Sequence, residues 1–423
     1  MKSPDTDRAR FWARLRSTPS SRRALRLLAL LLFVALFADF LANDKPLYCR
    51  YEGKTYFPVL RSYAVALGWQ AWPEDMQRDA WKQLKYESVL WPPVPYAASE
   101  LDARNSRFRS PFEKQDVPSL RFRHWLGTDQ LGRDLLAGMI RGTRVAMLVG
   151  IISMGLASLI GIFLGGIAGF FGDRKLQAGP LQTALFLIGL PLGIFYAFIA
   201  RSFQITTALE EGGIWKELLI SLLLLAGIPA ALGWLGGRLE SLPLLAKAFR
   251  KRSFPADLLI MRLIELLNSI PALLLILAVV AILPHPSIFY VMLIIGLISW
   301  TGIARFVRAE LLRIRELPYI ESARIMGFSE WHIFLKQALP NALGPVWIAI
   351  AFGFAGAILA EATISFLGIG LAPDEVSWGS LLQAARNNIS AWWMAVFPGL
   401  AIFLTITALN LLGEALQKED ERD

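Results

Sequence analysis

The sequence predicts an all-α, polytopic membrane protein with about eight transmembrane helices. Hydrophobic residues make up 55% of its 423 residues and charged residues only 18%, whereas about a quarter of a soluble domain is charged. Eight apolar segments are each long enough, at ~1.5 Å per residue in a helix, to cross a hydrocarbon layer of ~30 Å. Helices also satisfy every backbone N–H and C=O group within lipid. The predicted spans are 24–42, 145–170, 181–201, 217–236, 258–283, 287–304, 345–367 and 391–412.

The N-terminal segment, residues 1–23, is predicted to be cytoplasmic, basic and amphipathic. Residues 1–26 contain eight basic and two acidic residues, and basic residues collect on the cytoplasmic side of a membrane. A basic start before an apolar run resembles a signal peptide, but 24–42 is too long for one and no small-residue cleavage site follows it. We therefore expect 24–42 to be a retained first span. Alternation from there places both termini inside, with 413–423 as a cytoplasmic tail.

The segment 43–144 is predicted to lie outside, as a periplasmic cap followed by the helix that leads into the second span. It is rich in tryptophan, tyrosine and proline, a composition typical of a small folded unit with turns. Its length allows a modest core of its own. Cys49 is the single cysteine, so an intramolecular disulfide is excluded, and we expect an unpaired, inert thiol.

The membrane part contains a predicted inserted hairpin and a glycine-rich helix. The hairpin, 181–236, consists of two spans that follow Gly179-Pro180, and the last four spans form a core at 258–412. Gly165, Gly166 and Gly169 lie in the second span, 145–170, where small residues let helices approach closely.

No sequence pattern indicates nucleotide, catalytic or metal chemistry. The chain lacks a phosphate-binding P-loop, a Gly-x-Ser-x-Gly elbow and a His-Glu-x-x-His motif. His124, His285 and His332 are scattered and have no metal-ligand spacing. The net charge of +9 fits basic cytoplasmic loops better than nucleic-acid binding. We expect no catalytic residue, metal or cofactor in this chain, so any ATP must be used by another subunit.

A segment of about forty residues, 305–344, joins two spans on the predicted inside. The residues from Ser322 favour a helix, Gly327 ends or bends it, and Ser329 can cap a second helix. Pro340 is expected to break that second helix before the next span. The apolar side of the second helix is predicted to consist of Trp331, Ile333, Phe334 and Leu335. The pattern predicts a helix–glycine–helix element facing the cytoplasm; the alternative is a loop lying on lipid headgroups.

The same segment resembles a signature of ABC-importer permeases. Glu321-Ser-Ala-x3-Gly327-x11-Leu339-Pro340 resembles the "EAA" motif, the cytoplasmic coupling element that docks into a cleft of the ATPase subunit. Ser322 stands where alanine is commoner, and Gln337 stands where an apolar residue is frequent. The resemblance implies that the residues which couple this chain to the ATPase are Glu321, Ser322, Ala323, Gly327, Leu339 and Pro340.

Other motifs resemble the C-type permeases of dipeptide and oligopeptide importers. One runs from His124 to Asp134 and resembles the periplasmic motif that precedes their second span. The last two spans are matched by Ala360-Glu-Ala-Thr-Ile-Ser-Phe-Leu-Gly-Ile-Gly370, Ser377-Trp-Gly379 and Phe397-Pro-Gly399. Asn43-Asp-Lys-Pro-Leu47 and Tyr56-Phe-Pro-Val-Leu60 look like the long-looped branch that serves oligopeptides and microcin C. The hairpin 181–236 departs from the family's core of six spans.

The resemblance implies a multi-pass subunit of the bacterial inner membrane that carries peptides or peptide-like compounds. Its implied partners are a second permease in a heterodimer, ABC ATPase subunits, a periplasmic substrate-binding protein and membrane lipids. An ABC permease for another small solute such as nickel remains an alternative. So does a self-sufficient secondary transporter, for which intramembrane charges in paired broken helices and an inverted repeat are expected.

Two further sets of polar residues are candidates for function. Glu361 lies within an apolar span, where a carboxylate either lines a pathway or makes a structural hydrogen bond. Thr128, Asp129 and Arg133 either contact the binding protein or form the cap and first-turn carboxylate of the helix that enters the second span.

Overall fold

Helices account for most of the chain in the computed structural model, which describes residues 18–72, 81–173, 177–211, 214–242, 252–282, 287–370, 372, 375–386 and 388–420. The predicted basic N-terminus before residue 18, the loop 284–286 and all but the last residue of the basic loop 247–252 lie outside these described residues. The helices described up to residue 240 are α1 Pro19–Leu36, α2 Ala38–Leu41, α3 Pro58–Ala66, α4 Leu135–Phe171, α5 Pro180–Ile194, α6 Ser202–Glu211 and α7 Ile214–Glu240.

The remaining helices belong to the C-terminal part of the chain. They are α8 Ala256–Asn268, α9 Ala272–Ile282, α10 Ile288–Ile314, α11 Pro318–Ile325, α12 Glu330–Ile333, α13 Leu339–Ala342, α14 Gly344–Phe366, α15 Trp378–Ala385 and α16 Trp392–Asp420. Two π-helical turns cover Phe195–Ile199 and Phe334–Ala338. The strands are β1 Tyr48–Tyr51, β2 Lys54–Tyr56, β3 Ser88–Leu90, β4 Gln177–Ala178 and β5 Arg252–Ser253.

Within the described residues, six helices are long and apolar enough to cross a membrane, and the bent pair α8–α9 adds a seventh if it is counted as one span. The six are Leu135–Phe171, Pro180–Ala197, Leu219–Glu240, Ile288–Ile314, Gly344–Phe366 and Trp392–Gln417. The prediction of a mostly helical, polytopic membrane protein is confirmed at this level. The predicted number of eight spans is not reached when the described helices are counted by their length and apolar composition.

The predicted first span, 24–42, differs from the helices found there. Helix α1 carries three arginines in its first half, Arg22, Arg23 and Arg26. Its apolar part from Leu27 is therefore only about ten residues, or ~15 Å, long. Phe37 then separates α1 from the short helix α2, so neither helix alone has the length of a full span.

The predicted span at 258–283 is not one straight helix. Two helices, α8 and α9, occupy this segment and are bent by 78° relative to each other. Pro271 lies at the break, immediately before α9 begins. Proline lacks the N–H group that would continue the helical ladder, and its ring disfavours a helical conformation of the residue before it.

One compact unit consists of residues 1–165 and 266–423. In its described part α14 packs on α16, α10 and α15, and α1 lies along α16. Helix α4 contributes to two apolar clusters, one with α14 and α16 through Met147 and one with α9 and α10 through Val149. A Cβ atom at Gly165 would lie 2.3 Å from the backbone oxygen of Ala304. Glycine at this position therefore permits the close helix contact that the sequence predicts there.

The segment before α4 contains β structure that the all-α prediction does not include. Strand β1 pairs antiparallel with both β2 and β3, with Cys49 opposite Tyr56 and Val89. Glu52 and Gly53 form the two-residue turn between β1 and β2 with φ values of 49° and 72°, as a type I′ hairpin requires. Strands of three or four residues are too short for their alternating pattern to be recognised in the sequence.

Aromatic side chains form the core of this cap. Trp81 and Trp91 are buried, and their partly buried neighbours are Tyr51, Tyr56, Trp72, Leu84, Tyr86, Val89 and Phe122. Cys49 is completely buried, and burial raises the pKa of its thiol to about 11. Such a thiol stays protonated at neutral pH, in line with the expected inert cysteine.

The other compact unit consists of residues 166–265. Helices α5 and α7 pack against each other here, over the segment for which the sequence predicts a hairpin at 181–236. Oε1 of Glu240 accepts hydrogen bonds from the backbone N–H groups of Leu181 at 2.5 Å and Gln182 at 3.3 Å. The last residue of α7 therefore satisfies two N–H groups at the start of α5, which have no partner within that helix.

Candidate functional site

The coupling element, residues 318–342, begins with a short helix that ends at a glycine. Helix α11 has Pro318 at its first position, where the fixed φ of proline favours helix initiation. Gly327 adopts the left-handed conformation with φ of +81°. The N–H of Phe328 then donates to the oxygen of Ala323 at 3.2 Å, and the N–H of Gly327 donates to the oxygen of Arg324 at 2.9 Å. These two bonds form a Schellman motif, so Gly327 ends the first helix as its position in the sequence predicts.

The second helix of the element is tied to the first by side chains. Oγ of Ser329 accepts a hydrogen bond from the N–H of His332 at 3.3 Å, which makes Ser329 the N-cap of α12. Nε of Arg324 lies 2.8 Å from Oε1 of Glu330, across the glycine turn. The rings of Phe328 and His332 stack with centroids 5.1 Å apart. The two short helices are therefore held in one arrangement.

Pro340 does not break the second helix, contrary to the prediction from sequence. The chain remains helical from α12 through the π-helical turn Phe334–Ala338 into α13, where Pro340 lies in the first turn. In a regular α-helix, proline lacks an N–H group for the helical hydrogen bond and its ring clashes with the preceding turn. Here the preceding turn is π-helical and contains one extra residue, so the backbone before Pro340 is wider than in an α-helix. Leu343 then separates α13 from α14.

The coupling element has a buried face and a set of exposed apolar residues. Its buried side chains are Ile320, Ala323, Ile333, Phe334, Ala338 and Ala342. The exposed set, with relative exposures of 44–83%, is Ile325, Met326, Phe328, Trp331 and Leu335. Of the predicted apolar side of the second helix, Ile333 and Phe334 are thus buried, whereas Trp331 and Leu335 are exposed. Exposed apolar residues grouped in this way are typical of a surface that binds another protein.

The residues of the "EAA" resemblance all lie in this element but differ in exposure. Glu321 is exposed in the first turn of α11, where a carboxylate interacts favourably with the helix dipole. Ser322 is also exposed, and its hydroxyl donates to the oxygen of Pro318 at 2.9 Å. Ala323 is buried and Leu339 half-buried. Ala323 and Gly327 therefore maintain the shape of the element, whereas Glu321 and Ser322 are available to a partner.

Thr128, one of the predicted binding-protein contacts, is completely buried. Its hydroxyl donates to the oxygen of Asn105 at 2.7 Å, and its backbone oxygen accepts from Nε1 of Trp393 at 3.3 Å. Because it has no exposed surface, Thr128 cannot contact a binding protein directly, and this part of the prediction is corrected to a structural role.

Asp129 and Arg133 lie in the turn before α4 and are half-buried. Oδ1 of Asp129 accepts the N–H groups of Leu131 and Arg133, each at 2.8 Å. Asp129 therefore stabilises the turn, while the cap of α4 is Asp134, whose Oδ1 accepts the N–H of Ala137 at 2.7 Å. The alternative in which Thr128 caps α4 is not what the structure has.

The same turn contains a buried charged cluster that the sequence analysis missed. The His124 side chain has no exposed surface; its Nδ1 lies 2.8 Å from Oδ2 of Asp134 and its Nε2 lies 3.2 Å from Oδ2 of Asp102. Its ring stacks on Tyr96 with centroids 4.2 Å apart. A neutral imidazole has only one N–H group, so hydrogen bonds to two carboxylates require the protonated form. We call His124, Asp102 and Asp134 the histidine cluster.

The pKa values in the histidine cluster follow from this geometry. Burial by itself lowers the pKa of His124, but the hydrogen bonds and negative charges of Asp102 and Asp134 outweigh burial and raise it above its ordinary value. Burial by itself raises the pKa of Asp102, but the hydrogen bonds from His124 and Asn105 outweigh burial and lower it to about 2. Below the raised pKa of His124 the cluster therefore contains an imidazolium between two carboxylates, and a buried ion pair of this kind is costly to break.

Glu361 lies in α14 and is 1% exposed. Its Oε1 accepts a hydrogen bond from Oγ of Ser365 at 2.6 Å, and its side chain is also hydrogen-bonded to Ser377. Ser377 is the N-cap of α15 and accepts the N–H of Ser380 at 3.3 Å. These contacts match the structural alternative for Glu361, because they fix the start of α15 to α14.

Among the described residues, no group of three or more histidine, cysteine, aspartate or glutamate side chains has an arrangement that could hold a metal ion. The polar residues described above form helix caps, turns and ion pairs instead.

Comparisons with known proteins give a consistent picture. Residues 242–419 match the family of binding-protein-dependent transport system inner membrane components. Over 411 residues the chain is 26% identical to the inner membrane ABC transporter permease protein YejE of Escherichia coli strain K12, covering 96% of this chain and 94% of that protein. It is 26% identical over 444 residues to the peptidoglycan transport system permease protein YejE of Agrobacterium fabrum, with 98% and 92% coverage. It is 29% identical over 295 residues to the glutathione transport system permease protein GsiD of Pectobacterium atrosepticum, covering 70% of this chain and 71% of that protein.

Proposed function

We propose that this chain is the transmembrane permease subunit of an ABC importer for peptides or peptide-like compounds, because residues 242–419 match the family of binding-protein-dependent transport system inner membrane components. The subunit itself is not an enzyme, and a separate ATPase subunit binds and hydrolyses ATP. The substrate class follows from relatives named as permeases for peptidoglycan and glutathione transport, both of which contain peptide units.

The observation that carries this proposal is the geometry of the coupling element. It lies within the matched family segment, its two helices are held together by the pair Arg324–Glu330, and it exposes five apolar side chains to solvent. A rigid element with an uncovered apolar surface is suited to fit into a cleft of another protein. The ATPase subunit is the proposed partner at this surface.

The proposed topology has both termini in the cytoplasm and the cap in the periplasm of a bacterial inner membrane. In it, α1 and α2 form the first span and the bent pair α8–α9 forms another, which gives eight. The basic residues around the coupling element, Arg305, Arg308, Arg313, Arg315, Arg324 and Lys336, support its cytoplasmic side. A second permease subunit would enclose the path with this chain, and a periplasmic binding protein would deliver the peptide.

In this proposal, force from the ATPase would reach the membrane helices through the second helix of the coupling element. The second helix of the coupling element continues through the π-helical turn and α13, and one residue, Leu343, separates α13 from α14. A displacement of α12 by the closing ATPase dimer would therefore move the cytoplasmic end of α14. Helix α14 in turn packs on α10 and α16, so these helices would move with it.

Copurification tests the function. The tagged chain, gently extracted from membranes, is expected to retain a P-loop ATPase and a second multi-span permease in stoichiometric amounts. In liposomes this complex should hydrolyse ATP faster when a peptide-loaded binding protein is added. Recovery of the chain alone in a form that still transports would contradict the proposal and would indicate a secondary transporter.

A substitution in the coupling element tests its role. Ile325 is 83% exposed, and Ile325→Asp would place a charge in the interface with the ATPase, which we expect to reduce stimulated ATP hydrolysis at least about tenfold. The matched control is Ile389→Asp, because Ile389 is 94% exposed and lies at the predicted outer face. Equal activity of the two variants would contradict docking at this surface.

A further inference from the structure

Helix α3 carries an exposed apolar stripe on the surface of the cap. Phe57, Leu60, Tyr63 and Leu67 follow one another at intervals of three or four residues, so they lie on one side of the helix and its ends. Their relative exposures are 42–60%, and Trp69, just beyond the helix, is 77% exposed. No charged residue lies among them. We call Phe57, Leu60, Tyr63 and Leu67 the α3 stripe.

The opposite side of α3 packs into the cap. Pro58 and Val59 are buried there, and Val59 has no exposed surface. Arg61, the one charged residue of the helix, is used within the cap as well. Its Nη2 donates to the backbone oxygen of Ala71 at 2.7 Å, and its Cζ lies 5.9 Å from the ring centroid of Trp72. The helix is therefore amphipathic, and the side left uncovered is the apolar one.

Tyr63 shows which way the α3 stripe faces. Its hydroxyl donates a hydrogen bond to Oδ2 of Asp39, which lies in α2. Nη1 of Arg144 donates to the same carboxylate oxygen at 2.7 Å, and Nε of Arg144 donates to the oxygen of Ala35 at 2.8 Å. Residues three or four apart on a helix share a face. The stripe therefore lies on the side of α3 from which Tyr63 reaches α2.

The ion pair of Asp39 and Arg144 places this contact at the membrane surface. In the proposed topology, the two residues lie at the outer ends of the first two spans, where charged groups are far less costly than within the hydrocarbon layer. Tyrosine side chains are enriched at the same level. Leu36 and Phe37, directly before α2, are 65% and 44% exposed. The α3 stripe thus lies beside apolar side chains of the first span that lipid would cover.

We propose that α3 is an interfacial helix whose stripe enters the outer leaflet of the membrane and anchors the cap there. This proposal rests on the topology of the proposed function and adds a lipid-binding surface to it. Phe57, Leu60 and Leu67 would enter the upper acyl region, whereas Tyr63 and Trp69 would lie among the headgroups. The second permease and the binding protein are the competing occupants of this surface.

Fluorescence quenching tests the anchor. Leu60→Cys, in a Cys49→Ala background, is labelled with bimane and assembled with cysteine-free partner subunits. The complete permease–ATPase complex, without binding protein, is placed in nanodiscs of phosphatidylethanolamine and phosphatidylglycerol. The quenchers are a 5-doxyl phospholipid in the bilayer and iodide in the water.

We expect the bilayer quencher to reach the label at Leu60→Cys and iodide to be largely excluded from it. The control is Lys54→Cys, at an exposed residue of β2 outside the stripe. Iodide quenching should be at least about fivefold weaker at Leu60→Cys than at Lys54→Cys, because the acyl region excludes the ion. Equal quenching of the two labels by both quenchers would overturn the proposal.

A pair of variants at Leu67 separates insertion from simple exposure. Leu67→Glu places a charge in the stripe and should reduce doxyl quenching of the label at Leu60→Cys at least about twofold, since a charged side chain is costly in the acyl region. Leu67→Phe keeps the stripe apolar and should leave the quenching unchanged. Leu67 is 60% exposed, so we expect both variants to fold. The same quenching in both variants would contradict insertion.

The competing occupants give different results. If the second permease covers the stripe, the label at Leu60→Cys is shielded from both quenchers. If the binding protein covers it, the label is open to iodide until that protein is added. Either result overturns the proposal.

Uptake by the same complex in proteoliposomes separates this proposal from the proposed function. If the complex, with binding protein and ATP, takes up peptide while the label at Leu60→Cys is not quenched by lipid, the anchor is wrong and the importer function stands. If lipid quenches the label but no peptide is taken up, the anchor stands and the importer function is wrong.

Discussion

His124 links the cap to the start of the first long membrane helix through two ion pairs. One partner, Asp134, caps α4, and the other, Asp102, belongs to the loop on which the turn packs. Because the folded pKa of His124 is raised, its stabilising contribution is fully present below the unfolded value of ~6.5 and is lost as the pH rises through the folded value. Asp102, with its pKa lowered to about 2, contributes stability above ~4 that is lost as the pH falls through about 2.

The histidine cluster therefore predicts a pH-dependent stability. We expect the melting temperature of the purified permease to fall as the pH is raised from about 6.5 to 9. His124→Gln should lose about 3 kcal/mol or more of stability near pH 6, the range for breaking a buried ion pair, and should show a flatter pH profile. His332→Gln is the control, since His332 is exposed. Identical pH profiles for natural protein and His124→Gln would contradict a charged cluster.

Glu361 allows a distinction between a structural and a pathway role. Glu361→Leu leaves the hydroxyl of Ser365 without its acceptor and should cost about 1–3 kcal/mol of stability, whereas Glu361→Gln keeps an acceptor and should cost less. If the role is structural, the KM for peptide uptake should be unchanged in whatever fraction of each variant is folded. A Glu361→Gln variant with normal melting temperature but altered uptake kinetics would point to a pathway role.

At the scale of single elements, the coupling element depends on the left-handed conformation of Gly327. Gly327→Ala should destabilise this turn by about 1–2 kcal/mol and reduce ATP hydrolysis stimulated by the binding protein, because the two helices would no longer keep one arrangement. Gly227→Ala is the control: Gly227 lies inside α7 and an added Cβ meets no atom within 4 Å. Its activity should equal that of the natural protein. Full coupling in Gly327→Ala would show that the turn is not required.

Two prolines show why helix boundaries were only partly predictable. Pro271 separates two helices where the sequence predicts one apolar span. The bend was not predicted, because the hydropathy of a segment does not report whether its helix is bent. Pro340 was expected to end a helix, yet the preceding π-helical turn accommodates it. Proline raises the cost of a regular helix at both positions. Whether the chain bends or widens there depends on how the neighbouring helices pack.

For the whole molecule, the proposed topology can be tested by cysteine labelling. In a Cys49→Ala background, Ser390→Cys should react with a membrane-impermeant maleimide in intact spheroplasts, because this exposed residue follows α15 at the proposed outer face. Lys336→Cys, exposed in the coupling element, should react only after lysis. Labelling of Lys336→Cys in intact spheroplasts would reverse the topology and would exclude an ATPase at this surface.

The sequence by itself determined the class of the protein, the position of the coupling element and the lack of a nucleotide-binding motif. These properties depend on composition and on residues that are near each other in the chain, as in the turn around Gly327 and the cap at Ser329. The tertiary structure alone decided the pairing of His124 with Asp102, which is 22 residues away, and the small sheet in the cap. Such contacts join residues that are distant in sequence. They depend on how the elements pack in three dimensions, which a pattern of neighbouring residues does not determine.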